Sequence, residues 1–227
     1  MDEPGIQGLV PVDGASPTEL LVLDDRALDV LSVLLPLAST GTIRVYDTAH
    51  RCARLIHRDG TWSSKVATAM VCRDLRSVPE HPLPHGLTLR PVSRLAGEPS
   101  GVPLADAVAA AVRAASAGEV SSAALVTHLR RLPTGPRLFA AVDDDGVVRG
   151  TSGSRTFLSD AYVFFVNTDP DWRRRGVGLS MTATALHSAA ESGATRASLD
   201  ASGPGIPLYQ RLGFAALRQI TQFSRSG

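Results

Sequence analysis

The sequence has little cysteine and no long apolar run. Its 227 residues contain two cysteines, Cys52 and Cys72, which lie far apart, without metal-like spacing and without an acid or histidine in a recognisable motif. This pattern predicts reduced structural thiols rather than a disulfide framework, a redox pair or a nucleophile. The longest mostly apolar run, Val30 to Ala38, is too short to cross a bilayer and contains Pro36.

The sequence also lacks an excess of charge of either sign and the features of a secretory signal. Lys+Arg (23) nearly balances Asp+Glu (22), and Lys65 is the only lysine. A nucleic-acid partner is therefore not expected, although a local basic patch stays open. The first residues, Met1-Asp2-Glu3-Pro4, lack the basic stretch of a secretory signal. We expect a globular protein of the cytoplasm with no membrane partner and enough residues for a substantial core.

The chain changes character near residue 85. Residues 77–86 hold three prolines and two histidines, a composition typical of a linker. Ahead of them we predict one or two helices from Ser16 through Leu35, strands over 42–46, 53–55 and 66–71, and a hairpin turn over 58–62. We accordingly divide the chain into residues 1–85, an α/β extension or half-domain, and residues 86–227, a second domain.

Strands and helices alternate in the second part, which predicts an α/β fold with a mixed sheet. The Asp-Gly pair within 143–146 predicts a hairpin turn, because this dipeptide readily supplies a positive φ. The expected strands are 87–92, 138–142, 147–152, 160–166, 195–199 and 220–223, and the expected helices are 102–117, 120–132, 176–192 and 207–212.

One segment of the second part has the composition of an anion site. Residues 171–179, Asp-Trp-Arg-Arg-Arg-Gly-Val-Gly-Leu, follow an apolar strand and enter a helix. Gly176 and Gly178 would leave backbone N–H groups uncovered, and the first turn of a helix offers unpaired donors and a positive dipole end. Taken alone, the segment is explained equally well by solvated arginines on a surface loop.

The same segment resembles the acetyl-coenzyme A pyrophosphate loop of the GNAT superfamily, whose pattern is Gln/Arg-x-x-Gly-x-Gly/Ala. Arg173, Gly176 and Gly178 match this pattern in register. A second resemblance follows at residues 199–214, which contain the Tyr-x-x-x-Gly-Phe signature as Tyr209 to Phe214. The resemblance covers about residues 86–227 and implies a GNAT-like acyl-CoA N-acyltransferase fold with an N-terminal α/β extension.

The resemblance implies acetyl-CoA as co-substrate, without a metal, in a V-shaped split between the fourth and fifth strands of the family fold. Direct attack by an amine on the thioester would then need no covalent enzyme intermediate. Ser202 takes a place where relatives often have Asn, which weakens a polar contact to the cofactor arm. The implied cofactor-binding residues are Phe165, Val166 and Asn167 for the pantetheine arm, Arg173, Arg174, Arg175, Gly176, Val177 and Gly178 for the pyrophosphate, and Ser202 and Tyr209.

Tyr209 is the expected catalytic residue, as a hydrogen-bond donor to the departing thiolate. The alternative is a tyrosine that packs the short helix, with its hydroxyl on a backbone carbonyl. Many relatives carry a Glu base on the fourth strand, where Asp160 is here the only acid. Asp160 is thus a candidate base, with an equally good explanation as a strand-end turn residue.

Several questions stay open at this level. The chain could be an N-acetyltransferase for a small-molecule amine or for a protein amine, or a catalytically silent acyl-CoA-binding module. An aminoacyl-tRNA acceptor is disfavoured by the near-neutral charge. The acceptor, the general base, the acyl-chain preference and the oligomeric state, including a homodimer, are undetermined. Residues 1–85 could be a degenerate GNAT-like copy, but they contain no glycine-rich pyrophosphate loop, or cradle, like that of residues 171–179.

Overall fold

The computed structural model describes residues 2–3, 6–9, 18–38, 41–93, 101–114, 126, 129–130 and 136–225. The predicted helix over 120–132 falls largely outside these residues. The strands are β1 (Asp2–Glu3), β2 (Ile6–Leu9), β3 (Thr18–Val22), β4 (Gly41–Tyr46), β5 (Ser63–Cys72), β6 (Leu87–Ser93), β7 (Val102–Pro103), β8 (Arg137–Asp143), β9 (Val148–Phe157), β10 (Asp160–Thr168), β11 (Arg196–Ala201) and β12 (Ala215–Arg225). The α-helices are α1 (Leu28–Leu34), α2 (His50–Asp59), α3 (Leu104–Ala114), α4 (Val177–Glu191) and α5 (Ile206–Arg211).

The chain groups into two compact units. The first comprises Met1–Ala69, Ala201–Gly203 and Ala216–Gly227, and the second comprises Met70–Asp200 and Pro204–Ala215. The first unit orders its strands β1-β2-β3-β4-β12-β5, and the second orders its strands β11-β10-β9-β8-β6-β7. The division into residues 1–85 and a domain over 86–227 stays a prediction.

The first unit buries α1 and α2 against its strands. Its core holds Leu31 from α1, Cys52 and Ile56 from α2, and Ile43 and Phe223 from the strands. Leu31, Cys52, Ile43, Ile56 and Phe223 are all fully buried. A buried thiol of this kind contributes packing rather than reactivity, and burial raises the pKa of Cys52 to about 11.

Three predictions about the first unit differ from the structure. Within the helical stretch predicted from Ser16 through Leu35, α1 is present, but Thr18–Val22 form strand β3, which pairs in parallel with β4 from Thr18↔Gly41 to Val22↔Val45. The strand over 53–55 and the turn over 58–62 are replaced by α2, which ends at Gly60 with a φ of 72°. In both places pairing or packing with distant residues overrides the local pattern.

The predicted elements of the second unit are confirmed. Apart from the helix over 120–132, the strands and helices expected between residues 87 and 212 are present in the described part of the chain, and the final strand is longer than expected. The hairpin turn lies at Asp143–Gly146, where Gly146 donates to the Asp143 carbonyl at 3.0 Å and has a φ of 79°. The predicted mixed sheet is confirmed by parallel pairing of β10 with β11 and antiparallel pairing of β10 with β9.

Alternating residues of β8 pack against two different helices, one on each face of the sheet of the second unit. Leu138 and Ala140 belong to the apolar cluster that contains α3. Phe139 and Ala141 belong to the cluster that contains Val177 and Met181 of α4. Because side chains of a strand alternate between the two faces, α3 and α4 lie on opposite sides of the central strands.

Candidate functional site

Strands β10 and β11 separate along their length. Their parallel pairing runs through Asp160↔Arg196 and Ala161↔Ala197 and ends at Tyr162↔Ser198. Both strands continue beyond this pair, β10 to Thr168 and β11 to Ala201. The later residues of the two strands are therefore unpaired with each other, which leaves backbone groups exposed at this edge of β10.

A bulge interrupts β10 beside this opening. The register with β9 shifts between Phe164 and Asn167, so Phe165 and Val166 have no partner in that ladder. Phe165 has a φ of 59°, a strained value for a bulky residue, and such strain costs of order 1–3 kcal/mol and clusters at functional sites. The Thr151 hydroxyl holds the bulge in place by donating to the Phe165 carbonyl at 2.8 Å.

The segment after β10 forms a turn that leads into α4. Arg174 has a φ of 63° and Gly176 a φ of 91°, so two left-handed residues turn the chain just before the helix. Gly176 is the N-cap residue and supplies no side-chain cap, and the first turn of α4 contains no acidic residue. Within the part of the chain that the structure describes, the N–H groups of the first turn thus have neither a side-chain cap nor an acidic residue of their own turn beside them, an arrangement that suits a phosphate group.

Gly178 sits where the first turn of α4 meets two other elements. A Cβ atom at this position would lie 3.0 Å from Leu208 Cδ1 of α5 and 3.2 Å from Thr168 Oγ1 at the end of β10. Such distances are tighter than most real contacts, so a larger residue would push α4 away from its neighbours. Gly178 therefore keeps the turn, α5 and the open end of β10 close together.

The three arginines of the turn have different surroundings. The Arg173 guanidinium donates to the Ala114 carbonyl at 2.7 Å, at the C-terminus of α3, and to the Thr168 carbonyl at 3.4 Å. The Arg175 guanidinium lies 5.1 Å from the centre of the Trp172 ring. The Arg174 side chain is exposed and has no ion pair or hydrogen bond among the described residues. Arg174 thus offers the least committed positive charge beside the N–H groups of the helix.

Tyr209 lies in α5 with its ring edge-on to Phe214, the ring centres 5.9 Å apart. Its hydroxyl makes no hydrogen bond to any residue that the structure describes. Burial raises the pKa of Tyr209 to about 12, so the phenol keeps its proton throughout the neutral and moderately alkaline range. The ring packs α5 against Phe214, and the hydroxyl remains available as a hydrogen-bond donor.

Asp160 is not brought to the open end of β10. Asp160 forms the first pair of the β10–β11 ladder, opposite to the end that opens, and accepts from Arg196 through both carboxylate oxygens. The side-chain hydrogen bond from Arg196 holds the pKa of Asp160 below its usual value. Ser202 is exposed and follows β11 within the stretch that groups with the first unit.

Two features of the site were not found from the sequence. Thr151 supports the bulge from β9, and the Tyr162 hydroxyl donates to Asp200 Oδ2 at 3.0 Å from β10 to β11. The alternation of apolar and polar residues over 160–164 indicates that Tyr162 lies on the more accessible face, but its partner depends on strand register. Because β10 and β11 are parallel and joined by a long crossover, no hairpin turn between them fixes that register.

The described residues contain neither a metal-binding cluster nor a membrane-spanning helix. Among the described ranges, no group of three or more His, Cys, Asp or Glu side chains could hold a metal ion. None of the helices within those ranges has the length and apolar character required to cross a bilayer.

Comparisons with known proteins agree with this geometry. Residues 111–214 match the sequence profile of the acetyltransferase (GNAT) family. No curated protein matches the chain. A GCN5-related N-acetyltransferase from Kribbella flavida has a similar structure, with a TM-score of 0.64 and 18% identity over 98% of this chain and 87% of that chain.

Two further structures extend the comparison. A GCN5-related N-acetyltransferase from Sphaerobacter thermophilus gives a TM-score of 0.62 at 16% identity, covering 98% of this chain and 77% of that one. A tandem GNAT protein from the clavulanic acid biosynthesis pathway gives 0.57 at 17% identity, covering 93% and 75%. At such identities the structural likeness concerns the fold, and it confirms the predicted mixed α/β architecture.

Proposed function

We propose that the chain is an acyltransferase of the GNAT kind that transfers an acetyl group from acetyl-CoA to an amine, in keeping with the match of residues 111–214 to the acetyltransferase (GNAT) family. The observation that carries the proposal is the combination of a split between β10 and β11 with an uncapped helix N-terminus directly after β10. A pantetheine arm needs backbone groups along an open strand, and a pyrophosphate needs converging N–H donors.

The residues of the second unit suit this co-substrate. Gly176 leaves open space, since a Cβ there would meet no atom within 4 Å, and Arg174 adds a positive charge beside it. Val177 and Gly178 would present their N–H groups to the pyrophosphate, with Arg173 and Arg175 bracing the turn. The bulge at Phe165 and Val166, followed by Asn167, would face the pantetheine arm.

Bound acetyl-CoA would supply an activated acyl carbon and a thiolate leaving group. Tyr209 would hold its phenol proton toward the position where negative charge develops on sulfur. Because its pKa lies near 12, above that of a thiol at about 8.5, the hydroxyl would stabilise this charge as a hydrogen-bond donor without completing a proton transfer.

A turnover screen tests the proposal. The full chain is incubated with acetyl-CoA and a panel of amines that includes polyamines, amino acids, aminoglycosides, peptide N-termini and aminoacyl-tRNA, and free thiol is measured. Thiol release that depends on an amine, with the matching acetylated product, is expected. Tight acetyl-CoA binding with no acetylated product from any class of acceptor would instead indicate a silent acyl-CoA-binding module.

We expect the first unit to bind no acetyl-CoA, so that each chain binds one molecule. It repeats the order strand, helix, parallel strand, helix as β3, α1, β4 and α2, yet β3 and β4 stay paired along the whole of β3. The turn after β3 is capped by Asp24, which accepts from the Arg26 N–H, so this donor is not available to an anion. Calorimetric titration should give one site per chain, and two sites would contradict the assignment of a single cradle.

A further inference from the structure

Two consecutive residues of β9 contact both ends of the turn that leads into α4. The Arg149 carbonyl accepts from the Asp169 N–H at 2.8 Å, just before the turn. A Cβ atom at Gly150 would lie 2.7 Å from Val177 Cγ1, so the β9 backbone lies directly against the first residue of α4. The position of the turn is therefore set from β9, a strand that neither borders the split nor carries the cradle residues.

The Arg149 guanidinium joins this turn to the hairpin between β8 and β9. It donates from Nε to Asp143 Oδ2 at 2.7 Å and from Nη1 to Asp169 Oδ2 at 3.1 Å. Asp143 Oδ1 accepts from the Val147 N–H at 2.8 Å and from the Asp145 N–H at 3.1 Å, which fixes the carboxylate within the hairpin turn. The side-chain hydrogen bond from Arg149 holds the pKa of Asp143 below its usual value. One guanidinium thus connects two turns.

Asp169 transmits this connection to the start of α4. Its Oδ1 accepts from the Asp171 N–H at 3.0 Å, and its carbonyl accepts from the Trp172 N–H at 2.9 Å. Gly176, with its φ of 91°, then directs the chain into the helix. Because each step is a tight turn, a displacement of Asp169 would be carried to the N–H groups that begin at Val177.

The three charged side chains are largely shielded from water. Arg149 is 23% exposed, Asp143 9% and Asp169 13%. Ion pairs at the open surface contribute little to stability, but removing one partner of a shielded pair is costly because it leaves the other charge uncompensated. Without the guanidinium the two carboxylates would repel each other, and the turn that begins at Asp169 would move away from the hairpin.

We propose that Arg149 is a positioning residue for the acetyl-CoA site, which aims the first N–H groups of α4 at the pyrophosphate by holding Asp169 against the β8–β9 hairpin. The inference rests on the proposed acetyl-CoA binding. The guanidinium is committed to two carboxylates, so Arg149 acts through Asp169 rather than by touching the phosphates. Affinity for ligands that carry the pyrophosphate should depend on Arg149, whereas the rate of transfer from the bound complex should not.

Calorimetric titration with acetyl-CoA and with free coenzyme A tests this inference on wild type, Arg149→Met, Asp169→Asn and the double variant. Met keeps an unbranched side chain without donors, and Asn keeps an Oδ1 that can accept from the Asp171 N–H but has no charge. Each single variant is expected to raise Kd about 10-fold, a common level of coupling within one hydrogen-bond network. The factor should be the same for both ligands because both carry the pyrophosphate. The double variant should lose no more than the worse single one.

Arg137→Met is the matched control. The Arg137 guanidinium ties β8 to the other end of α4, where it donates to Ser188 Oγ at 3.2 Å and to Glu191 Oε2 at 3.4 Å. Its removal takes away a strand-to-helix contact of the same chemistry far from the first turn of the helix, so Arg137→Met should keep the wild-type Kd.

Two readouts separate positioning from a general loss of structure. With an amine that wild type acetylates, Arg149→Met should raise KM for acetyl-CoA about 10-fold and keep kcat within about twofold of wild type, the pattern of lost uniform binding. Arg149→Lys keeps the positive charge between the two carboxylates and should recover most of the affinity.

The outcomes distinguish this inference from the proposed function. A Kd within twofold of wild type in Arg149→Met, losses that add in the double variant, an equal loss in Arg137→Met, or a fall in kcat as large as the rise in KM would each overturn the inference while the acetyl-CoA site stands. If Arg149→Met does not fold, a wild-type Kd in Asp169→Asn is enough to overturn it. A wild-type chain that binds no acetyl-CoA would overturn the proposed function and the inference with it.

Discussion

Replacing Tyr209 by phenylalanine is expected to lower kcat about 100- to 1000-fold while acetyl-CoA binding stays unchanged. The variant keeps the ring that packs edge-on against Phe214 and loses only the hydroxyl, which has no hydrogen bond among the described residues. Removal of one donor that stabilises developing negative charge commonly has an effect of this size. Initial rates with the acetylated amine, together with acetyl-CoA thermal shifts, provide the measurement.

Tyr46→Phe is the matched control. Tyr46 ends β4 in the first unit, with the Arg218 guanidinium 5.0 Å from its ring centre, and the same loss of a hydroxyl there should leave kcat unchanged. If Tyr209→Phe retains the wild-type kcat, the role given to Tyr209 is wrong, although the cofactor site is unaffected by that result.

The raised pKa of Tyr209 sets where its effects appear on the pH scale. The folded protein holds this pKa near 12, against about 10 for a free phenol, so folding favours the protonated form. Its contribution to stability is complete below about pH 10 and is lost as pH rises toward 12. Tyr209 should therefore still carry its proton at pH 10. If the rate of the wild-type protein falls near pH 10, the rate of Tyr209→Phe should fall there in the same way.

Gly176→Val is expected to weaken acetyl-CoA binding at least about 100-fold. Gly176 has a φ of 91° at the start of α4, a conformation that a β-branched residue adopts only with strain of order 1–3 kcal/mol. Relief of that strain would turn the backbone and disperse the N–H groups that converge on the pyrophosphate. Calorimetric titration of the variant with acetyl-CoA measures the loss.

Gly193→Val controls for the cost of the strain itself. Gly193 follows α4 at its other end with a φ of 92°, and a Cβ at either glycine would meet no atom within 4 Å. The two variants should therefore lose similar amounts of thermal stability, but only Gly176→Val should lose the ligand. Equal ligand affinities in the two variants would show that the turn before α4 does not hold the pyrophosphate.

The cradle could be predicted from the sequence because its determinants are local. A strand, a turn with glycine at the left-handed position and a helix follow one another within residues 160–191, and each contributes its own pattern. Gly176 is required by its own φ, and Gly178 by a close approach of α5. Both causes leave a glycine in the sequence where it can be recognised.

The features that escaped prediction depend on contacts between distant residues. β3 is a strand because it pairs with β4, and the local sequence around Ser16 has the signals of a helix start instead. The bulge at Phe165 and the contact of Tyr162 with Asp200 both follow from strand register. Asp160 was the only acid that the sequence offered on β10, and its Arg196 partner comes from the neighbouring strand.

Thermal unfolding with and without acetyl-CoA tests the central claim most directly. A ligand at about 100 times its Kd stabilises the folded state by about 2.7 kcal/mol, which corresponds to roughly 5–10 °C for a chain of this size. We predict a rise of this order for wild type and a rise of about 1 °C or less for Gly176→Val, whose Kd should be at least about 100-fold weaker. An unchanged midpoint for wild type at saturating acetyl-CoA would contradict the assignment of the split and the turn as an acetyl-CoA site.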